Sequence, residues 1–138
     1  MGQTTVRDIM TSSVVTLMEA DNLGTIAADF DTFRFRHLPV VDGKRLVGII
    51  SERDMWRAHV SELDGSRAAQ ARSNRLDDTF VAAVMHRDPI TISPDEPVSH
   101  AAAKMVETRI GALPVVDEAG DLLGIITEYD LLRELAKD

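Results

Sequence analysis

One stretch of this chain is written twice. HLPVVDGKRLVGIISERD (37–54) returns as ALPVVDEAGDLLGIITEYD (112–130), and upstream VRDIMTSSVVT (6–16) is answered by VAAVMHRDPIT (81–91) at the same 75-residue spacing. After the turn the spacing grows by one residue, because Asp42-Gly43-Lys44-Arg45 is answered by Asp117-Glu118-Ala119-Gly120-Asp121. A register kept on both sides of a turn insertion marks a duplication, and a duplication restricts the fold to two copies of one supersecondary unit.

Each copy has the same order of patterns. A short apolar helix leads in (Val6, Ile9, Met10; Phe80, Val81, Val84, Met85), followed by a brief extended segment (Val14–Leu17; Ile90–Ile92). In the second copy Ser93-Pro94-Asp95-Glu96 reads as a helix start: Ser93 caps, Pro94 takes the first helical position and Glu96 completes a capping box. Val98, Ala101, Ala102, Met105 and Val106 then form one apolar helical face. The first copy answers with Leu23, Ile26, Ala27 and Phe30, but Asp31 stands where Val106 does. Two β-branched runs joined by Asp42-Gly43 predict a hairpin, and a last helix is expected to start at Ser51 or Thr127. Met18, Met55 and Met105 read as core filler.

These patterns predict an α/β (α+β) chain of two β-α-β-β-α repeats, over 1–57 and 81–138, with a polar connection at 58–80. One such unit is too small for a robust core, so the two are expected to pack sheet to sheet with pseudo-twofold symmetry.

Bulk properties narrow the function. Asp and Glu (23) outnumber Lys and Arg (15), for a formal charge of −8, which disfavours a nucleic-acid partner because phosphate backbones need clustered positive charge. With no cysteine there is no disulfide scaffold, thiol nucleophile or thiolate metal site. No apolar run approaches the ~20 residues that span a bilayer, and the N-terminus lacks the pattern of a secretory signal. The expectation is a cytoplasmic protein with no membrane contact. No nucleophile–base pair, Walker-type glycine loop, histidine pair at zinc spacing or metal cluster is legible. An enzyme is therefore not expected, and neither a catalytic cofactor nor a metal is assigned.

The Leu-Pro-Val-Val-Asp motif, the Gly-Ile-Ile-(Ser/Thr)-x-x-Asp motif and the leading Met-(Thr/His) segment occur in that order, twice. Together they resemble the CBS domain, and the tandem pair resembles a Bateman module of the stand-alone prokaryotic kind. The resemblance implies a regulatory module, usually a homodimer, that binds AMP, ADP, ATP, NAD-type dinucleotides or S-adenosylmethionine in the inter-repeat cleft. It would act in trans on a protein target that remains unknown.

Within that frame Ser51 and Asp54 are candidates for the sugar. An ionised aspartate only accepts hydrogen bonds and can take both ribose hydroxyls, while Ser51 and the helix start favour an anion. Gly48 would leave room for the ligand beside the strand. Arg36, His37 and Arg53 are candidates for phosphate, arginine being suited to bidentate contacts. The second copy keeps Thr127 and Asp130 but has Gly111-Ala112 and Tyr129 in place of Arg36-His37 and Arg53, so the two sites should be unequal. The resemblance also places Asp88, Ile90 and Thr91 opposite the Asp54 motif, and Ser13, Val15 and Thr16 opposite Asp130, with Ile49 and Ile125 as apolar walls. The competing reading is structural: Ser51-x-x-Asp54 and Thr127-x-x-Asp130 are also helix-capping patterns, as is Thr5-x-x-Asp8, and the apolar members also suit a core. On that reading the chain is an interaction module with vestigial ligand sites.

Overall fold

A computed structural model describes residues 3–24, 26, 36–55, 57 and 79–137. In chain order the elements are helix α1 (Val6–Ile9), strands β1 (His37–Asp42) and β2 (Arg45–Ser51), a 3-10 turn at Val81–Ala83, the short strand β3 (His86–Arg87), helix α2 (Val98–Thr108), strands β4 (Ala112–Val116) and β5 (Leu122–Thr127), and helix α3 (Glu128–Leu135). Residues 52–55 are also helical. The strands make two small sheets, β1-β2-β3 and β4-β5, giving the mixed α/β class expected. Both hairpins turn at glycines in the left-handed region, Gly43 (φ 64) and Gly120 (φ 87), a conformation that costs glycine no Cβ clash.

The two compact units do not coincide with the two sequence repeats. One unit comprises Met1–Val14, Gly43–Leu46 and Pro89–Asp138; the other comprises Val15–Asp42 and Val47–Asp88. The leading segment of each repeat therefore packs with the body of the other. Equivalent hydrogen bonds hold both leaders: Val6 N–H donates to Glu96 O at 2.8 Å, and Val81 N–H donates to Asp21 O at 2.7 Å. Each core mixes the two origins accordingly. In the first unit Val6 and Ile9 are buried with Ile92, Ala101, Met105, Leu113, Val115 and Ile126. In the second, Val81 and Met85 are buried with Leu17, Leu23, Ile26, Leu38, Val40, Ile50 and Met55. Each such side chain contributes about 1.5–3 kcal/mol on burial, so a leader with two buried apolar anchors is held by packing as well as by backbone bonds.

Several expectations are corrected. Helix α2 starts at Val98, not at Pro94. Ser93 N–H does donate to Glu96 Oε2 at 3.1 Å, but Ser93 Oγ accepts from Asp95 N–H and Glu96 N–H goes to Ser93 O, so the segment closes a turn and not a helix-capping box. Pro97 explains this, since it offers no N–H to a preceding helical turn and disfavours the helical conformation at Glu96. Val106 is 77% exposed, because it lies about 100° around the helix from the buried Met105. Met18 is exposed, whereas Met55 and Met105 are buried as expected. The second leader forms only a 3-10 turn, with Phe80 exposed. The extended segments reduce to single parallel bridges, Leu17 to Val40 and Ile92 to Val115. Ala27, Phe30, Asp31 and nearly all of the 58–80 connection lie outside the described residues.

Candidate functional site

Where β2 ends and helix begins, Ser51 and Asp54 brace each other. Asp54 N–H donates to Ser51 Oγ at 3.0 Å, and Ser51 N–H donates to Asp54 Oδ2 at 3.0 Å. Thr127 and Asp130 repeat this at the start of α3: Asp130 N–H donates to Thr127 Oγ1 at 3.2 Å, and Thr127 N–H to Asp130 Oδ2 at 2.9 Å. The capping reading is therefore correct for both pairs. Thr5 and Asp8 form the same reciprocal arrangement on α1. In each ligand candidate one carboxylate oxygen closes the helix, which leaves Oδ1 as the oxygen for any further partner.

That second oxygen is engaged differently in the two units. Asp54 Oδ1 meets His86 Nε2, from β3, at 3.0 Å. Asp130 Oδ1 accepts from Arg133 Nη2 at 3.0 Å, one helical turn along α3, and the Arg133 guanidinium also lies 5.5 Å from the centre of the Tyr129 ring, a cation–π distance. Asp130 is buried, with 3% of its side chain exposed, against 10% for Asp54. Burial by itself pushes the Asp54 carboxyl upward. The hydrogen bonds from Ser51 and the contact with His86 outweigh it and hold the group below the usual carboxylate range.

The second residue before each Leu-Pro motif is fixed at the helix start through its carbonyl. Glu52 N–H donates to Arg36 O at 2.8 Å, and Glu128 N–H donates to Gly111 O at 3.0 Å. Arg36 and Arg53 are exposed beside the Ser51 helix start, and neither is in a salt bridge among the described residues. At the other helix start the Glu128 carboxylate lies over Gly111, where any larger side chain would meet it. Both copies carry a glutamate at this position, Glu52 and Glu128, and the asymmetry lies in Arg36 and Arg53 against Gly111 and Tyr129.

Both motif glycines admit a close approach by the leader of the other repeat. A Cβ on Gly48 would lie 2.7 Å from Met85 Sδ and 2.9 Å from His86 O; on Gly124 it would lie 2.6 Å from Thr11 O and 3.0 Å from Met10 Sδ. The space beside each strand is filled by the leader of the other repeat, because backbone can approach a glycine that closely.

Among the remaining candidates, Ile49 and His37 are half-buried, and Asp88 is exposed in the unit of Asp54 with φ 51. Val15 and Thr16 belong to that unit also and are exposed. Ser13, Ile90 and Thr91 belong to the unit of Asp130, with Ala112 and Ile125, which are buried. The Thr91 carbonyl accepts from Lys104 Nζ at 2.9 Å. Asp88 thus shares a unit with Asp54, and Ser13 shares one with Asp130. The motif reading paired neither aspartate with its Oδ1 partner, although His86 stands in the leading Met-(Thr/His) segment. Arg133 was discoverable, since a basic residue three positions after Asp130 on a helix is a neighbour. His86 was not, because it comes from a segment 32 residues away. Among the described residues no group of His, Asp or Glu is arranged to hold a metal ion, and no helix is long and apolar enough to cross a membrane.

The CBS domain family model matches residues 6–55 and 81–137. The chain belongs to the CBS domain family, as a tandem pair. It is 37% identical over 131 residues to a homoserine O-acetyltransferase of Methanococcoides burtonii, covering 94% of this chain and 24% of that protein. The chain spans about a quarter to a half of the length of most of the curated relatives it first matches. The CBS domain pair of protein MJ0100, solved with 5'-methylthioadenosine and S-adenosyl-L-methionine, superposes with a TM-score of 0.81 at 29% identity, covering 99% of this chain and 98% of that one. CBSX2 from Arabidopsis thaliana, solved with AMP, gives 0.80 at 26% identity, with 96% of each chain covered.

Proposed function

We propose that this CBS-domain pair is a regulatory module that binds adenosine compounds and passes the signal to a protein partner in trans, without chemistry of its own. The observation that carries this reading is the duplicated carboxylate at a helix start, braced through Oδ2 and so pre-set to offer Oδ1 to a hydroxyl donor. Pairs of similar fold solved with AMP, 5'-methylthioadenosine and S-adenosyl-L-methionine support the ligand class. Asp54 and Asp130 take ribose. Arg36 and Arg53 supply positive charge and His37 a ring nitrogen for phosphates near Asp54, whereas Gly111, Ala112 and Tyr129 offer no such charge near Asp130. The ligand works by binding one arrangement of the module better than another.

A cytoplasmic homodimer completes the reading. Tyr129, Leu132 and Leu135 leave an exposed apolar strip on α3, and Val106 is exposed on α2. A sedimentation mass of one chain would remove the dimer.

Calorimetry with AMP, ATP and S-adenosylmethionine on the parent, Asp54→Ala and Asp130→Ala tests the proposal. A hydrogen bond to a charged group is worth about 1.5–3 kcal/mol, so Asp54→Ala should weaken ATP binding about ten- to a hundredfold. Equal losses of ATP affinity from both variants would defeat the asymmetry. A second reading, that the sites are vestigial, draws on the existing engagement of both carboxylates and on the same box at Thr5 and Asp8. It prevails if none of the ligands gives heat or raises the melting temperature.

A further inference from the structure

His86 lies where a competitor for the ligand would. Its Nε2 is 3.0 Å from Asp54 Oδ1, the oxygen not used to close the helix, and the ring remains 66% exposed while the carboxylate beneath it is 10% exposed. The carboxylate oxygen that the cap leaves over is thus engaged by an imidazole whose ring is largely exposed. We propose that His86 is a positioning residue that covers Asp54 in the unliganded protein, so that a ribose gains Oδ1 only by displacing the imidazole, and that protonation of His86 strengthens the cover. This rests on the adenosyl-binding reading above and adds to it a proton as a second signal.

The surroundings isolate the pair. Opposite β3, strand β2 presents Gly48 and Ile49, which carry no charge. On β3 itself Arg87 is paired with Glu19 at 3.2 Å. Asp88 follows on the chain, and Glu52, Arg53 and Arg57 share the helix of Asp54, so all of these set a local field. Among the described residues, however, Asp54 is the ionisable group at bonding distance from the ring. A neutral imidazole with its hydrogen on Nε2 donates one ordinary bond to Oδ1; a protonated ring donates a charge-assisted one, roughly twice as strong. Asp54 is held below the usual carboxylate range and so stays ionised at mildly acid pH, where histidine is the side-chain type whose charge ordinarily changes. Among its described residues the first unit has no such device: Thr11 stands at the position equivalent to His86, and the Arg133 guanidinium takes Asp130 Oδ1.

The test is calorimetry from pH 5.5 to 8 with adenosine, which has the ribose and no phosphate, and with AMP in parallel. The variants are His86→Ala and His86→Gln, the latter keeping a neutral donor that cannot be protonated. The parent should bind adenosine about fivefold more weakly at pH 5.5 than at pH 8. His86→Ala should bind more tightly than the parent at pH 5.5, and both variants should lose the slope. Weaker binding by His86→Ala, or a slope that survives in it, overturns the proposal. So does AMP affinity that rises on acidification in the parent and not in the variants, since His86 would then be a phosphate donor. If all three proteins bind neither adenosine nor AMP, the adenosyl reading fails and the cover with it; if all bind alike, the cover alone fails.

Discussion

Gly124 and Gly111 lie thirteen positions apart in one unit, and the same substitution should have opposite consequences at the two. A Cβ on Gly124 would come within 2.6 Å of Thr11 O, a backbone atom, and 3.0 Å of Met10 Sδ. That carbonyl cannot swing away freely, because it accepts from Ile125 N–H at 2.9 Å while Thr11 N–H donates to Ile125 O at 2.9 Å. Relief requires the leader to lift from β5, which loosens Val6 and Ile9 in the core. Forcing one extra methyl into such a site costs about 1–3 kcal/mol. On Gly111 the added methyl meets only the exposed far end of Glu128, which can rotate into water. The gain from a stiffer unfolded chain, about 0.4–1 kcal/mol, then offsets the adjustment.

For a chain of this size ~1 kcal/mol moves the melting temperature by roughly 3–4 °C. Gly124→Ala should therefore melt about 3–10 °C below the parent, and Gly111→Ala within ~3 °C of it or above. Thermal melts followed by circular dichroism, with urea titrations to obtain the free energies, decide the matter. A Gly124→Ala protein as stable as the parent would refute the role assigned to the leader–strand contact. So would a Gly111→Ala protein that loses as much as Gly124→Ala.

Two further predictions concern the aspartates as caps. Asp130→Ala removes a buried carboxylate that accepts from Thr127 N–H, Thr127 Oγ1 and Arg133. It should cost about 2–3 kcal/mol in urea titrations, and a loss under ~0.5 kcal/mol would show that α3 does not need the brace. For Asp54 the folded-state pKa lies below its unfolded value, so its brace contributes stability above the unfolded carboxylate range and loses it as pH falls through the folded value. The stability gap between the parent and Asp54→Asn should thus be present at pH 7 and shrink below ~pH 4; a gap unchanged at pH 3 would contradict the shift.

Local chemistry was legible in the sequence wherever one residue type had one physical use. Asp42-Gly43 makes its hairpin, Thr127 and Asp130 cap α3, and the motif aspartates lie at helix starts as read. Where two local signals competed, the reading went to the wrong one. Ser93-Pro94-Asp95-Glu96 makes only the Ser93 N–H to Glu96 half of a box, and Pro97 disfavours a helix beginning there. A methionine such as Met18 carries no signal of its own, since the residue is used at surfaces and in cores alike.

What spacing could not convey was which copy of the leader packs against which hairpin. Val6 and Val81 are equivalent, as are the strands that receive them, so the apolar pattern is satisfied equally by a leader folding onto its own repeat or onto the other. The exchange decides the chemistry at the aspartates. Packed with its own repeat, Asp54 would have the leader that carries Thr11; with the exchange it has the leader that carries His86. A duplicated sequence can therefore hold two equivalent carboxylates and still give them different control, because Asp54 takes its Oδ1 partner from the other copy whereas Asp130 takes its own from α3. The divergence between Thr11 and His86 reads as drift while the repeats are aligned in one dimension. In the folded unit it becomes the difference between a carboxylate held by an arginine on its own helix and one covered by a group that a proton can alter.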